Sequence, residues 1–210
     1  MEFGITGPAQ SDNLFHFTGR VGERPSDVPR PIQEMTPKER LDAIIGERIL
    51  RAFPPFGTTA PCVCFSESPP EHLAFLINGG RVKPWGIVIS RAQMVKAGGG
   101  SVAYVPDQVY EYFKNTGMGH WAVRVGPGSS WMHEREWRLP CLQVSGVRLM
   151  TLQAILIGDK TWRPSLVERS DPRSPGSRLM DFPPLWQESP IWVWDSSSKS
   201  VVPHPPGSLC

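Results

Sequence analysis

The sequence predicts an α+β fold in which many short strands accompany a few helices grouped early in the chain. Short apolar runs recur along the whole sequence, and most of them are bounded by Pro, Gly or Ser. The 210 residues include 23 prolines and 20 glycines, which favours short elements joined by many loops. Strands and helices do not alternate regularly, so a parallel sheet built from βαβ units is disfavoured.

The first two elements have the clearest local signals. The run Leu-Phe-His-Phe-Thr at 14–18 is typical of a short strand. A helix is predicted at 36–51, because Thr36 suits the N-cap, Pro37 suits the first helical position, and Glu39 completes a capping box. Apolar residues then recur at helical spacing, which predicts that this helix packs one face against a core.

The later elements follow from apolar runs and their boundaries. Strands are predicted at 60–66, 85–90, 102–105, 152–158 and 191–194, and helices at 69–77, at 91–96 and from Asp107 onward. A further strand carries Glu134 and Glu136 and ends near Cys141. We expect one domain over residues 1–210, with a core at about 12–160. Residues 161–210 are expected to form a proline-rich loop at 165–184, a final Trp-containing strand and a tail.

Charge and cysteine content restrict the class of protein. The formal net charge is +2, so the chain lacks the strong excess of basic residues found in many nucleic-acid-binding domains. Binding of a nucleic acid at a local basic patch is compatible with this charge. Cys62 and Cys64 with His72 do not complete a four-ligand metal site, so we predict reduced thiols and no metal. The N-terminus lacks a basic segment followed by an apolar one, and no window is long and apolar enough to span a membrane. These features predict a cytoplasmic protein with no membrane partner.

The run from Trp131 to Pro140 contains the most informative charges. On a strand, Glu134, Glu136 and Arg138 share one side, and the two carboxylates lie about 7 Å apart. Two acids so close repel each other, and a cationic or carbocation-like ligand that both acids serve explains the pair. The alternative is a solvent-facing ladder in which Arg138 pairs with Glu136.

His16 lies between two phenylalanines in the first predicted strand. If Phe15 and Phe17 face the core, His16 and Thr18 share the opposite face and present two polar groups to a ligand. The alternative is a histidine that hydrogen-bonds a backbone carbonyl inside the core. The sequence contains no phosphate-binding loop, no Gly-x-Ser-x-Gly motif and no His-Glu-x-x-His motif.

Four short motifs occur in the order found in ADP-ribosyltransferases: His16-Phe-Thr18, Leu41-x-x-Ile44, Val63-Cys-Phe-Ser66 and Glu136-Trp-Arg-Leu139. The chain resembles DarT-type nucleic-acid ADP-ribosyltransferases. It is also similar to AbiGi-like abortive-infection proteins of phage defence, through its Cys-Phe-Ser-Glu, Gly-Gly-x-x-x-Tyr-Val and His-Glu-Arg-Glu-Trp-Arg blocks. This resemblance, which runs from about residue 16 to residue 158, implies a split fold. Two small, mostly antiparallel sheets flanked by short helices would surround a cleft that binds NAD.

The resemblance also implies an activity, mono-ADP-ribosylation of a nucleic acid or a protein in a toxin or phage-defence setting. Glu136 would stabilise the oxocarbenium-like ribose formed when nicotinamide leaves NAD, and Glu134 would steer the nucleophile or accept its proton. The residues implied to bind NAD are His16, on the adenosine-side ribose, Thr18, Ser66, and either Arg48 or Arg51 on the diphosphate.

Two other classes of function compete with this interpretation. The chain can instead be a non-catalytic antitoxin or immunity protein that binds a cognate toxin partner through an exposed apolar surface at Trp186, Trp192 and Trp194. A metal-dependent nuclease built on Glu134 and Glu136 is less favoured, because the usual Asp and Lys companions are missing.

Overall fold

The computed structural model describes residues 7, 9–20, 28–127, 131–170 and 178–210, apart from the side chain of Trp131. Within these residues the fold is α+β, as predicted. The helices are α1 (Arg30–Glu34), α2 (Pro37–Glu47), α3 (Pro70–Asn78), α4 (Arg91–Lys96), α5 (Asp107–Asn115) and α6 (Pro184–Glu188). Two 3₁₀ turns lie at Gly119–Trp121 and Trp131–Glu134.

Most of the strands join one mixed sheet. The strands are β1 (Asn13–Phe17), β2 (Ile49–Arg51), β3 (Cys62–Glu67), β4 (Gly86–Ser90), β5 (Gly100–Ser101), β6 (Ala103–Val105), β7 (Ala122–Arg124), β8 (Glu136–Pro140), β9 (Gly146–Arg148), β10 (Ala154–Ile157), β11 (Val167–Ser170), β12 (Arg178–Asp181), β13 (Ile191–Asp195) and β14 (Ser200–His204). The main sheet has eight strands in the order β14-β13-β10-β4-β1-β3-β8-β5. Three two-stranded sheets, β2–β9, β6–β7 and β11–β12, complete the described part of the chain.

The main sheet is divided between β1 and β3. These two strands share two residue pairs, Leu14 with Glu67 and Phe15 with Ser66. By contrast, β1 pairs with β4, and β3 with β8, through five residue pairs each. The sheet therefore has a five-stranded part and a three-stranded part that are joined at one end. The two small sheets that we expected are instead two parts of one sheet, because β1 pairs on both of its edges.

Two apolar cores pack against the main sheet. One core contains Leu14, Phe65 and Trp137 from the sheet and Leu41 and Ile45 from α2. A second core on the other face is built by Phe15, Leu73, Val88, Ala154, Leu156 and Trp194. Strands β1, β4, β10 and β13 contribute alternate residues to the two cores, as the alternation of side chains on a strand requires, whereas β3 and β8 contribute only to the first core.

The prediction of an exposed apolar surface at Trp186, Trp192 and Trp194 is wrong. Trp186 is fully buried, Trp194 is buried, and Trp192 packs partly buried against the second core. The physical reason is that Trp186 belongs to the first core and Trp194 to the second, while Trp192 packs against Phe15 of the second core. The end of the chain is likewise ordered by pairing, because β14 forms five residue pairs with β13.

Helix α2 begins as predicted and ends earlier. Thr36 accepts a hydrogen bond from the Glu39 backbone, and the Glu39 side chain accepts one from the Thr36 backbone, so the predicted capping box is confirmed. The predicted end at residue 51 is wrong, because Arg48 adopts a left-handed conformation with φ of 58° and caps the helix. Ile49 then begins β2, which pairs with β9 far along the chain.

The loop predicted at 165–184 contains a hairpin. β11 pairs with β12 through four residue pairs, and residues 171–177 between them lie outside the described residues. In the part of the chain that the structure describes, no helix combines the length and the apolarity needed to cross a membrane.

Candidate functional site

A cavity of about 790 Å³ lies where β1 and β3 diverge. Its lining includes His16, Phe17 and Thr18 from the β1 side and Cys62 to Ser66 from β3. Helix α2 and β8 contribute further walls. The predicted site residues that line this one cavity are His16, Thr18, Arg51, Ser66, Glu134 and Glu136.

His16 reaches across the division of the sheet. Its Nδ1 lies 2.8 Å from the carbonyl oxygen of Cys64, and its ring packs edge-on against Phe65. A carbonyl oxygen can only accept, so Nδ1 donates, and Nε2 of the neutral ring is then an acceptor. Burial lowers the pKa of His16, and the nearby guanidinium groups of Arg20 and Arg40 lower it further, against the opposing hydrogen bond to Cys64. The two roles considered for His16 are therefore compatible, because Nδ1 bonds the backbone carbonyl and Nε2 remains available to a ligand.

Glu136 is held by a fork of hydrogen bonds. Arg138 donates from Nε to Oε1 and from Nη2 to Oε2, both at 3.0 Å. The Arg138 side chain is 3 % exposed and the Glu136 side chain 13 %, so the two residues pair as in the alternative, but the pair lies beside the cavity and does not face solvent. The Nη1 group of Arg138 donates to the carbonyl oxygens of His120 and Ala122. The guanidinium is therefore fixed on both sides, and it fixes the carboxylate in turn.

Two further polar groups lie close to Glu136, and neither carries a charge. The Tyr104 hydroxyl accepts a hydrogen bond of 2.7 Å from the Glu136 backbone N–H, and burial raises the pKa of Tyr104 to about 12. Burial also raises the pKa of Cys64 well above its ordinary value, and the charge of Glu136 adds to that shift. The Cys64 group therefore stays a thiol and adds no charge beside Glu136. Each carboxylate oxygen keeps acceptor capacity for a ligand, because an ionised carboxylate offers about four lone-pair sites.

Glu134 reaches the cavity by a different route from the one predicted. It belongs to the 3₁₀ turn at Trp131–Glu134 and not to β8. Arg135 follows with φ of 47°, and this left-handed residue interrupts the alternation on which the prediction depended. Glu134 nevertheless lines the cavity, and its Oε2 lies 2.8 Å from Nη2 of Arg20.

Thr18 and Ser66 line the cavity, but their hydroxyl protons are used inside the protein. The Thr18 hydroxyl lies 2.8 Å from the carbonyl oxygen of Pro37 and 3.1 Å from that of Trp85. The Ser66 hydroxyl donates to the carbonyl oxygen of Glu134 at 2.6 Å. These two residues therefore hold β1 against the start of α2 and hold β3 against the 3₁₀ turn.

The two arginines between which the sequence left a choice have different positions. Arg48 caps α2 and donates from Nε to the carbonyl oxygen of Leu149 at 3.3 Å, and it is absent from the cavity lining. Arg51 lines the cavity, is half-exposed and pairs with Glu47 at 2.7 Å. The turn at Arg48 separates the two side chains.

Several lining residues were missed by the sequence analysis. The sequence placed Arg138 on the same face of a strand as Glu136, but only as its partner in a solvent-facing ladder and not as a residue of the site. The others come from elements that no local spacing connects with the motifs. The missed cationic residues are Arg20, Arg40, Lys114, Arg124 and Arg138, and the aromatic ones include Phe53, Phe56, Phe65 and Tyr110. The lining therefore contains six cationic side chains, counting Arg51, and two carboxylates, which favours an anionic ligand with aromatic rings.

The described residues contain no group of three or more His, Cys, Asp or Glu side chains placed to hold a metal ion. No protein-family model, no curated protein and no solved structure matches this chain.

Proposed function

We propose that this protein is a cytoplasmic mono-ADP-ribosyltransferase that uses NAD to modify a nucleic acid or protein in a toxin or phage-defence setting. The observation that carries the proposal is the meeting of His16 and Glu136 in one cavity at the division of the main sheet. The fold proposed with it is the split ADP-ribosyltransferase-like fold. The volume of the cavity, about 790 Å³, lies in the range of small-molecule sites, and the cationic and aromatic lining of the cavity suits a dinucleotide.

The proposed chemistry begins with loss of nicotinamide from the ribose of NAD. The ribose then carries positive charge at C1′ and O4′, which is the same electronic problem as in glycoside hydrolysis. Glu136 supplies a fixed negative charge beside that cation, and its free lone pairs can accept a hydrogen bond from a ribose hydroxyl. Glu134 accepts the proton of the nucleophile, because it is the second carboxylate on the same lining.

The proposed binding of NAD uses the remaining cavity residues. Nε2 of His16 accepts a hydrogen bond from a hydroxyl of the adenosine-side ribose, with Thr18 in the adjoining wall. Arg51 contributes positive charge for the diphosphate. Ser66 lies in the strand that forms the floor of the nicotinamide pocket, and its hydroxyl positions the turn that carries Glu134.

The direct test measures nicotinamide release and ADP-ribose transfer together. Purified protein is incubated with NAD labelled in its adenine, in the presence of DNA, RNA or protein extract, and the label is followed into each fraction. We expect release and transfer by the wild type, and a loss of at least about 100-fold in Glu136→Gln, because the variant keeps the shape and removes the charge. Glu188→Gln, an exposed change on α6, serves as the matched control.

Two results would contradict the proposal. One is the absence of both nicotinamide release and transfer in the wild-type protein. The other is equal activity in the wild type and in Glu136→Gln, because a carboxylate that stabilises the ribose cation cannot be replaced by an amide without loss.

A further inference from the structure

A guanidinium already occupies the place beside Glu134 where a nucleophile is expected. Nη2 of Arg20 lies 2.8 Å from Oε2 of Glu134, and both residues line the cavity that contains Glu136. Arg20 follows β1, the strand that also carries His16. The pair thus joins a nitrogen nucleophile to the carboxylate that the proposed function assigns to proton removal.

Arg20 differs from the other arginines of the cavity. Arg138 also contacts a proposed catalytic acid, but it is 3 % exposed and donates to Glu136 and to two backbone carbonyls, so it has no freedom to react. Arg51 pairs with Glu47, and Arg124 pairs with Asp107 and Glu111, all of them acids outside the lining. Arg40 donates to the carbonyl oxygens of Thr18 and Met35.

The Arg20 side chain is 53 % exposed, and the Glu134 side chain is 14 % exposed. An ion pair that is so exposed on the arginine side contributes little to stability and exchanges easily with other partners. Arg20 therefore keeps the mobility that a nucleophile needs, while Glu134 stays fixed by the bond from Ser66 to its backbone.

We propose that Arg20 is a self-modification site, which accepts ADP-ribose from NAD bound in the same molecule. This inference rests on the proposed function, because it needs the ribose cation that Glu136 stabilises. It names an acceptor within the chain, which the proposed function leaves open.

The step balances with NAD as the co-reactant. The bond between C1′ of the ribose and the ring nitrogen of nicotinamide breaks, and its electron pair leaves with neutral nicotinamide. An Nη lone pair of Arg20 forms the new bond to C1′. The proton displaced from that nitrogen passes to Glu134 and then to water, so the products are the ADP-ribosylated guanidinium, nicotinamide and one proton.

The test maps the adduct on the intact wild-type chain. The protein is incubated with NAD alone, released nicotinamide is quantified, and the chain is digested and analysed by mass spectrometry. We expect an ADP-ribose adduct on the peptide that contains Arg20. We also expect the modified fraction at a given time to be unchanged on dilution of the protein, because the donor and the acceptor belong to one molecule.

Arg30 provides a matched internal control. It pairs with Glu34 at 2.6 Å, as Arg20 pairs with Glu134, and its side chain is 87 % exposed, but it does not line the cavity. If exposure and pairing with a carboxylate were sufficient, Arg30 would be modified as well. We expect no adduct on Arg30, an unchanged adduct on Arg20 in Arg30→Gln, and loss of the adduct in Arg20→Gln.

The outcomes separate this inference from the proposed function. Nicotinamide release without an adduct on Arg20 overturns the self-modification and leaves the transferase proposal standing. Equal adducts on Arg20 and Arg30, or a modified fraction that rises with protein concentration, also overturn it. An absence of nicotinamide release in the wild type overturns both proposals.

Discussion

At the scale of single residues, the two proposed catalytic acids pair with arginines that differ in burial. Glu136 accepts two hydrogen bonds from the buried guanidinium of Arg138, whereas Glu134 pairs with the half-exposed Arg20. A buried, doubly hydrogen-bonded ion pair is costly to separate, because each charge would stay buried without its partner, whereas a pair with an exposed arginine is separated at little cost. Glu136 is therefore suited to supply a fixed charge, and Glu134 is suited to exchange its partner for a substrate group.

The first prediction concerns Arg138 as the residue that positions Glu136. Arg138→Gln removes the fork, so the carboxylate loses its fixed orientation, and we expect the kcat of nicotinamide release to fall about 100-fold with little change in KM. Arg138→Lys keeps the charge and one donor, and it should recover part of kcat. Steady-state kinetics on the folded variants measures the two constants separately.

Arg169→Gln is the control for that experiment, because Arg169 pairs with Asp181 at 3.3 Å on the β11–β12 hairpin and is absent from the cavity lining. Thermal unfolding of each variant establishes that the compared proteins are folded. Equal kcat values in Arg138→Gln and the wild type would exclude a positioning role for the arginine, and so would a change confined to KM.

At the scale of the elements, the buried carboxylate of Glu67 stabilises the end at which β1 and β3 are paired. Glu67 ends β3 and pairs with Leu14 of β1. Its Oε1 accepts hydrogen bonds from the Ser11 backbone at 2.9 Å and from Arg135 at 3.1 Å, and its Oε2 accepts one from the Trp137 indole at 3.0 Å. The two parts of the sheet therefore stay joined at one end while the other end opens into the cavity.

The second prediction follows from this junction. Glu67→Ala leaves the buried indole N–H and the Ser11 amide without acceptors, and we expect the free energy of unfolding to fall by about 2–3 kcal/mol. Glu188→Ala, at an exposed position of α6, should change it by less than about 0.5 kcal/mol. Urea denaturation followed by tryptophan fluorescence measures both values. Similar values for the two variants would mean that Glu67 does not hold the junction.

The third prediction concerns Gly86, which pairs with Phe17 near the open end of the division. A Cβ at this position would overlap the carbonyl oxygen of His16 in the neighbouring strand. Gly86→Ala should therefore displace β1 and cost about 1–3 kcal/mol of stability, as overpacking does in well-packed interiors. Gly126→Ala, where an added Cβ meets no atom within 4 Å, is the matched control, and urea denaturation compares the two. A Gly86→Ala protein as stable as the control would contradict the expected overlap.

At the scale of the whole molecule, the sequence predicted what local patterns determine and missed what distant pairing determines. The strand signals at 85–90 and the short helix at 91–96 were found because apolar runs and their boundaries are local. β2 was predicted as helix, because its pairing with β9 involves residues far along the chain. The left-handed turn at Arg135, which re-aims Glu134, has no local sequence signal either.

The cavity is lined by residues that the sequence motifs indicated and by residues that only the assembled fold brings to it. The His16 and Glu136 motifs were visible in the sequence, and so was the order in which they occur. Lys114 and Arg124 reach the same lining from α5 and β7, and only the assembled fold brings them there. A motif order can therefore indicate which strands meet, while the charge of the resulting cavity depends on elements between the motifs.

The fourth prediction concerns three histidines that are kept neutral by the fold as a whole. Burial is the main cause that lowers the pKa of His16, His72 and His120 below the ordinary value of 6.5. For His120 the positive charge of Arg138 lowers the pKa further, and its buried Nδ1 has no hydrogen-bond partner among the described residues. Protonation of His120 therefore adds a charge that is opposed both by burial and by the guanidinium of Arg138.

The sign of the pH dependence follows from proton binding. Between the lowered pKa values and 6.5, the unfolded chain binds more protons than the folded protein, so the free energy of unfolding falls as the pH falls through this window. We expect stability to be nearly constant above about pH 7 and to decline toward about pH 5, as measured by urea denaturation at a series of pH values. His120→Gln removes one of the three groups, so its decline should be shallower than that of the wild type, whatever its stability at neutral pH. A decline of equal steepness in the variant would mean that protonation of His120 is not coupled to unfolding.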